Sequence, residues 1–462
     1  MNIVISGPFG LGSLADEAVL AGLLARLADK HEIIILSAHP ERVLEIHEHE
    51  NVKALALPAP GSLLSTPDAW QALAKAHLIV VASAGTISDS GNPPSRVWLS
   101  HMEHARTLRI KSAVVGIGAR PIPDARDRTR VQRLLHNFTD CLSARDEESK
   151  LTLIGYALSS SRISNNGSTV LGLGLKPVKA TVSGPRVGLV LAPRIPSHNE
   201  FGYEETHASG AVLAATQALA QGILQESGVR LTVFHDATPA ALKHAAALLP
   251  KNTPESTTTE GSFELIAADR PLNEIREAMA ACEVVFSCSL QGMILAATAG
   301  VPVLGPAAEM GLNEFAASLL PAGQVWAIPS GPLAEVFEVS LALERIKAAR
   351  ADSAKLREYI ALRMKMLLRK EAQNGRMLEL LVPRRERWDA DRAREATTSG
   401  AAPARRGRKP ERGGRDSRDS GSSRASSDMP WPIRDEGPED RPVRGRSDAR
   451  SSSRSPSRRP KR

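Results

Sequence analysis

Cysteine is scarce. The 462 residues hold three, Cys141, Cys282 and Cys288, and no CxxC pair. That excludes a disulfide framework and a cysteine-rich structural zinc site, and it points to a reducing compartment. Aromatic residues make up only 3 %, while apolar residues together reach 42 %, so a core is available but must be built from aliphatic side chains. No P-loop and no G-x-S-x-G nucleophile elbow occurs. An uncharged stretch between Glu283 and Glu309 is long enough in number to span a bilayer. Ser287, Ser289, Gln291, Gly292, Gly300 and Pro302 divide it into strand, turn, helix and strand, which reads as buried α/β core. Met1-Asn2-Ile3-Val4-Ile5-Ser6-Gly7 lacks a basic n-region and is expected to be a strand, not a signal peptide.

Charge is present but lopsided. Residues 384–462 hold 23 basic and 13 acidic residues, a net of +10, which leaves −2 for residues 1–383 out of the total of +8. The tail is rich in Arg, Ser, Pro, Gly and Asp, with Trp388 and Trp431 as its only aromatics. Such a composition buries too little apolar surface to offset an ordering entropy of roughly 1–2 kcal/mol per residue, so 384–462 is expected to be disordered. Its arginine clusters suit anionic headgroups or other polyanions, and it lacks the aromatics that would stack nucleic-acid bases; no specific nucleic-acid partner is expected.

The remaining chain alternates strand and helix patterns. Ile3–Ser6, Ile33–Ser37, Leu78–Ala82 and Ala113–Ile117 read as strands, with helices over Ala18–Leu27 and Val97–Leu108. The pattern restarts with Val187–Leu191, Leu231–His235, Val284–Ser287 and Val301–Leu304, and with helices near Ala211–Gln225, Leu272–Ala281 and Met293–Ala299. Alternation of this kind implies two doubly wound parallel-sheet (Rossmann-like) α/β domains, whose ligand sites lie outside the strand C-termini. The expected organisation is 1–158, a Gly/Ser/Asn-rich connection at 159–183, a second domain at 184–332, a helical segment at 333–383, then the tail. In that segment Leu356, Ile360, Met364 and Leu367 share a face beside Arg363, Lys365, Arg369 and Lys370. Packing on the body is the preferred reading, and a basic amphipathic helix on an anionic membrane is the alternative.

Gly7-Pro8-Phe9-Gly10-Leu11-Gly12-Ser13-Leu14-Ala15-Asp16-Glu17 follows the first strand and opens the first helix. Ser13 with Asp16 three residues on is a helix-start signature, and glycines there let a ligand approach the backbone at a helix N-terminus. The run does not complete the G-x-G-x-x-G order of dinucleotide sites, and no cofactor is expected. His47-Glu48-His49 and the pair His101/His104 lack an evident third ligand; they read as surface histidines, and no metal site is expected.

Taken as a string, this segment resembles the opening of the polysaccharide pyruvyl transferase family, a glycine-rich turn followed by Asn-x-Gly-Asp-Glu-Ala. Ser13 and Ala15 stand for the Asn and Gly, and Asp16, Glu17 and Ala18 agree. Further matches follow in order through residue 320. They are Leu36-Ser37-Ala38-His39-Pro40, Ser83–Asp89, Gly116-Ile117-Gly118, Ser143–Ser149 with its Arg145-Asp146, Leu189–Arg194, and Phe234-His235-Asp236. In the run Phe286–Met293, Ser289 and Gln291 stand where the family has Arg and His.

The resemblance implies a GT-B-like bilobal fold and transfer of pyruvyl, as a ketal, from phosphoenolpyruvate or another anionic donor. The acceptor would be a cell-surface glycan or its lipid-linked sugar precursor, and the setting cytoplasmic or peripheral at the inner face of the membrane. Asp16, Glu17, Asp89 and Gln291 are the implied catalytic positions. Gly10, Gly12, Ser13, Arg145, Asp146, Arg194, Asp236 and Ser289 are the implied substrate-binding positions, with the arginines as anion clamps. Because Gln and Ser replace His and Arg, two alternatives stay open: a non-catalytic glycan-binding or regulatory relative, and a nucleotide-sugar glycosyltransferase.

Overall fold

The computed structural model describes residues 1–57, 66–87, 93–156, 158–175, 184–191, 210–248, 263–306, 310–319, 327–328 and 337–382. Asp89, Arg194, Glu309 and the 384–462 tail lie outside the described residues.

The first sheet begins with β1 (Asn2–Ser6), β2 (Glu32–Ser37), β3 (Val52–Ala56), β4 (Leu78–Val81) and β5 (Thr86–Ile87). It continues with β6 (Lys111–Ala119), β7 (Cys141–Ala144) and β8 (Ile163–Asn165). The strand order is β3-β2-β1-β4-β6-β7-β8, with β5 on β6. All pairs are parallel; Ile3 lies opposite Ile33 on one side and Leu78 on the other. The helices α1 (Leu14–Leu27), α2 (Pro40–Ile46), α3 (Pro67–Ala74), α4 (Pro93–Thr107), α5 (Ala125–Phe138) and α6 (Glu147–Gly155) supply the crossovers. Ile3 and Ile5 join a core that includes α1, while the intervening Val4 joins another with Leu73 and Ala105. Alternate side chains on opposite faces, both apolar, are what a sheet covered on both sides requires.

The second sheet comprises β9 (Arg186–Val190), β10 (Arg230–His235), β11 (Phe263–Ala267), β12 (Val284–Ser287), β13 (Val303–Pro306) and β14 (Ala327–Ile328). Its order is β11-β10-β9-β12-β13-β14, again parallel. Helices α7 (Gly210–Leu224), α8 (Pro239–Ala247), α9 (Leu272–Ala280), α10 (Leu290–Thr298) and α11 (Met310–Leu319) accompany it, followed by α12 (Val339–Ala351) and α13 (Ser353–Leu381). Each sheet therefore has one topological switch point, β1/β4 in the first and β9/β12 in the second, where a doubly wound fold opens a ligand crevice.

Two features depart from the sequence reading. Helix α1 starts at Leu14, not Ala18, because Ser13 caps it, its Oγ accepting the Asp16 amide at 3.3 Å. The polar stretch expected to be a connection carries β8, which pairs with β7 and extends the first sheet past residue 158. It then forms a buried 3₁₀ turn, Thr169–Leu173, against α1. That packing is so close that a Cβ on Gly22 would lie 1.9 Å from the Thr169 carbonyl oxygen. Helix α13 packs on the body, the preferred of the two readings, with Leu356, Ile360, Met364 and Leu378 buried. Its far end returns to the first sheet: Glu371 pairs with Arg26 at 2.6 Å, and the Asn374 Oδ1 accepts bonds from Ser143 (2.7 Å) and Asn166 (3.1 Å). Polar residues inside a helix face are tolerated because every one of these partners is supplied.

Candidate active site

At the β1/β4 switch point the two strands end in Ser6 and Val81, and the chain leaves the first through a glycine-rich turn and the second through Ala82-Ser83-Ala84-Gly85. Asp16, in the first turn of α1, reaches across to the second turn. Its Oδ1 accepts the Ala84 amide at 2.8 Å and the Ser83 hydroxyl at 3.1 Å. Burial pushes this carboxyl up to about 7 against the opposing pull of those hydrogen bonds. Arg145 leaves β7 toward the same residue, donating from Nη1 to the Ala84 carbonyl at 2.7 Å and from Nε to Asp146 Oδ2 at 2.9 Å. Thus Asp16 and Arg145 grip the amide and the carbonyl of one residue. Asp146 in turn caps α6 through the Ser149 amide (2.7 Å), and a Cβ on Gly311 of α11 would lie 2.6 Å from its Oδ2. The second half of the molecule therefore closes over this acid–guanidinium pair.

Glu17 turns the other way. Its Oε1 accepts the Gly10 amide at 2.7 Å and its Oε2 meets His47 Nε2 at 2.9 Å, both side chains being buried. The pair braces the glycine turn from behind. Gly10 has φ +81° and Gly12 φ +84°, a region that favours glycine, and a Cβ on Gly10 would sit 2.6 Å from Ser37 Oγ. His47 is therefore not the surface histidine its sequence context predicts. His101 is also buried: its Nδ1 lies 2.8 Å from Ser6 Oγ, and burial pushes the imidazole down to about 3, so it stays neutral. Among the described residues no group of three metal-binding side chains forms.

Asp236, at the end of β10, bridges the halves. Its Oδ1 accepts the Leu14 amide at 2.9 Å, so a carboxylate of the second half occupies the N-terminus of α1. The neighbouring Ala237 amide donates to the Gly12 carbonyl at 2.7 Å, and Arg42 donates to the Ala237 carbonyl at 3.1 Å.

The second switch point is chemically quieter. Ser289 caps α10, its Oγ accepting the Gly292 amide at 3.1 Å, and the Ser287 hydroxyl donates to the Ser289 carbonyl at 2.7 Å. Gln291 is buried, and its Oε1 accepts the Ser168 hydroxyl at 2.7 Å, tying α10 to the 3₁₀ turn of the first half. Among the described residues its Nε2 has no hydrogen-bond partner. Neither side chain ionises near neutral pH. Cys282 and Cys288 are held as thiols, burial pushing each up to about 12.

The structure thus gathers Asp16, Arg145 and Asp146 into one cluster and joins Asp236 to Leu14 beside Ser13. It sets Glu17 to bracing the turn, and it leaves Ser289 and Gln291 on a separate one. Ser83, Ser168 and His47 were missed by the sequence reading. His47 follows Val43 by one helical turn, a spacing that signals the buried face of α2.

No curated protein matches the chain. Among solved structures, the Anabaena protein HepE, crystallised in complex with UDP and glucose, is 16 % identical, with a TM-score of 0.53 over 82 % of this chain and 99 % of that one. A glycosyltransferase from Rickettsia africae is 13 % identical, with a TM-score of 0.52 over 81 % and 98 %. At such identities the likeness is one of fold, and it is GT-B-like. The family model for polysaccharide pyruvyl transferase matches residues 16–305, which contain Asp16, Arg145, Asp236, Ser289 and Gln291. By that match, the chain belongs to the polysaccharide pyruvyl transferase family.

Proposed function

We propose that the protein transfers a pyruvyl group from phosphoenolpyruvate, or a similar anionic donor, to two hydroxyls of a glycan or its lipid-linked precursor. In this reading Asp16 handles the proton. One acceptor hydroxyl adds to C2 of the enol while C3 takes a proton; the second then displaces phosphate, which leaves with the remaining proton. Such a reaction needs a group that both gives and takes a proton near neutrality, together with fixed cations for the donor's anions. The observation that carries the reading is the Asp16 carboxyl, raised to about 7 and sharing Ala84 with the Arg145 guanidinium. Arg145 is the donor clamp, and Arg194 is the second clamp. Asp89 and Asp236 are assigned to the acceptor, as the family resemblance implies, while Glu17, Gly10, Gly12 and Ser13 shape the turn. Incubation with phosphoenolpyruvate and lipid-linked sugars should release phosphate, with a rate inflecting near pH 7 that is lost in Asp16→Asn. No release with any acceptor overturns the reading.

A second reading, binding of a glycan or nucleotide sugar without pyruvyl transfer, is favoured by Ser289 and Gln291, whose hydrogen bonds serve a helix cap and Ser168. The fold likeness to a protein crystallised with UDP and glucose adds weight to its nucleotide-sugar form. Calorimetry separates the two: heat with UDP-glucose but none with phosphoenolpyruvate replaces the first reading with the second.

A further inference from the structure

Helix α13 has a second face besides the one that packs. Leu362 and Met366 are each 61 % exposed and Leu380 is 85 % exposed, the three most exposed large apolar side chains among the described residues. At 100° per residue they fall within 40° of one another, and the exposed Lys355, Glu358, Lys365, Arg369, Gln373 and Arg376 flank them on the same stripe. From Lys355 to Leu380 the stripe runs about 37 Å along the helix axis, with four cations against one carboxylate. The opposite face is already committed to the core through Leu356, Ile360, Met364 and Leu378.

We propose that this outer face of α13 docks on an anionic lipid surface, leucine and methionine entering the headgroup boundary and lysine and arginine meeting the headgroups. Charge selects the occupant. A second copy would bring a like-charged stripe against the first, and the chain that follows α13, with its net of +10, has the wrong sign to cover it. An anionic membrane supplies the complementary charge and an extended apolar boundary at once. Among the described residues no helix is long and apolar enough to cross a membrane, so the contact is one of lying on the surface. The inference is independent of which reaction the cleft performs.

The test is co-sedimentation of the full-length protein with vesicles of phosphatidylcholine alone or mixed with phosphatidylglycerol, at low and high salt. Binding is expected to the mixed vesicles and not to the neutral ones. High salt screens the attraction of an arginine-rich tail, so the binding that persists there must depend on the apolar trio. Combined Leu362→Gln, Met366→Gln and Leu380→Gln should cut that residual binding on the order of tenfold, with an unchanged circular dichroism spectrum and unfolding midpoint. Lys365→Glu with Arg369→Glu should weaken binding at low salt. The proposal is overturned if the triple variant partitions like the parent, or if the parent ignores anionic vesicles. It is equally overturned if sedimentation velocity finds a dimer that the triple variant dissolves, which would assign the face to a second copy.

Discussion

The two strand-to-helix turns at the switch points share a backbone role and differ in chemistry. The turn after β1 is built from positive-φ glycines and carboxylates, and it depends on distant residues: His47, Ser83 and, from the other half, Asp236. The turn after β12 is built from serines that satisfy themselves within three residues, with the Cys288 amide tied to the Val190 carbonyl and Gln291 to Ser168. Carboxylates drawn out of water keep an adjustable protonation state, whereas hydroxyls and amides in the same position do not. A GT-B-like fold therefore offers two crevice edges, and among the described residues the buried carboxyl raised toward neutrality sits at the first.

Breaking the first turn should cost most. Glu17→Ala would strand the buried His47 ring and the Gly10 amide together, and a loss of about 3 kcal/mol is expected in denaturant unfolding. Gly10→Ala comes next, at about 2 kcal/mol, since the new Cβ meets both Ser37 Oγ and the His39 carbonyl oxygen in a left-handed conformation. The counterpart Gly292→Ala should cost less, because its obstacles are the side chains of Val190 and Ser287 and its φ is not positive.

Asp16→Asn acts with the opposite sign. The folded protein holds the Asp16 proton up to about pH 7 whereas the unfolded chain releases it near 3.8, so this group's contribution to stability is full below pH 4 and lost as pH rises through 7. Asparagine keeps an acceptor for Ser83 and Ala84 without the charge. The variant should match the parent near pH 4 and exceed it by about 1–3 kcal/mol at pH 8, and the phosphate release expected of the proposed reaction should disappear. Equal stability at both pH values would show that Asp16 is ordinary. The smallest effect is expected at Ser289→Ala, which removes one helix cap and should cost about 1 kcal/mol. A much larger loss, or a change in donor affinity, would mean the second turn is not the quiet one.

Much of this was legible in the residues. Apolar β-branched runs such as Ile33–Leu36 and Leu78–Val81 announce buried parallel strands, and the Gly10–Glu17 run announces a turn into a helix. What escaped was whatever relies on a partner far along the chain. Ile163–Asn165 reads as linker because two of its three residues are polar, yet it has β7 to pair with. His47 reads as surface because its neighbours Glu48 and His49 are polar, yet Glu17 lies within hydrogen-bond reach. The degenerate positions Ser289 and Gln291 were visible as substitutions; that Ser289 caps its own helix and Gln291 bonds Ser168 of the first half was not.

By itself, then, the sequence determined the two parallel-sheet halves, their order, the split between a near-neutral body and a cationic tail, and the family. These rest on local periodicity and composition, which act over a few residues at a time. Only the tertiary structure decided that Asp16 is the carboxyl lifted toward neutrality and that Glu17, one residue on, is an internal brace. It likewise decided which face of α13 remains outside. Desolvation and ion pairing depend on what is brought within a few ångströms, and for Glu17 and Asp16 that is supplied by segments 30 and 68 positions away.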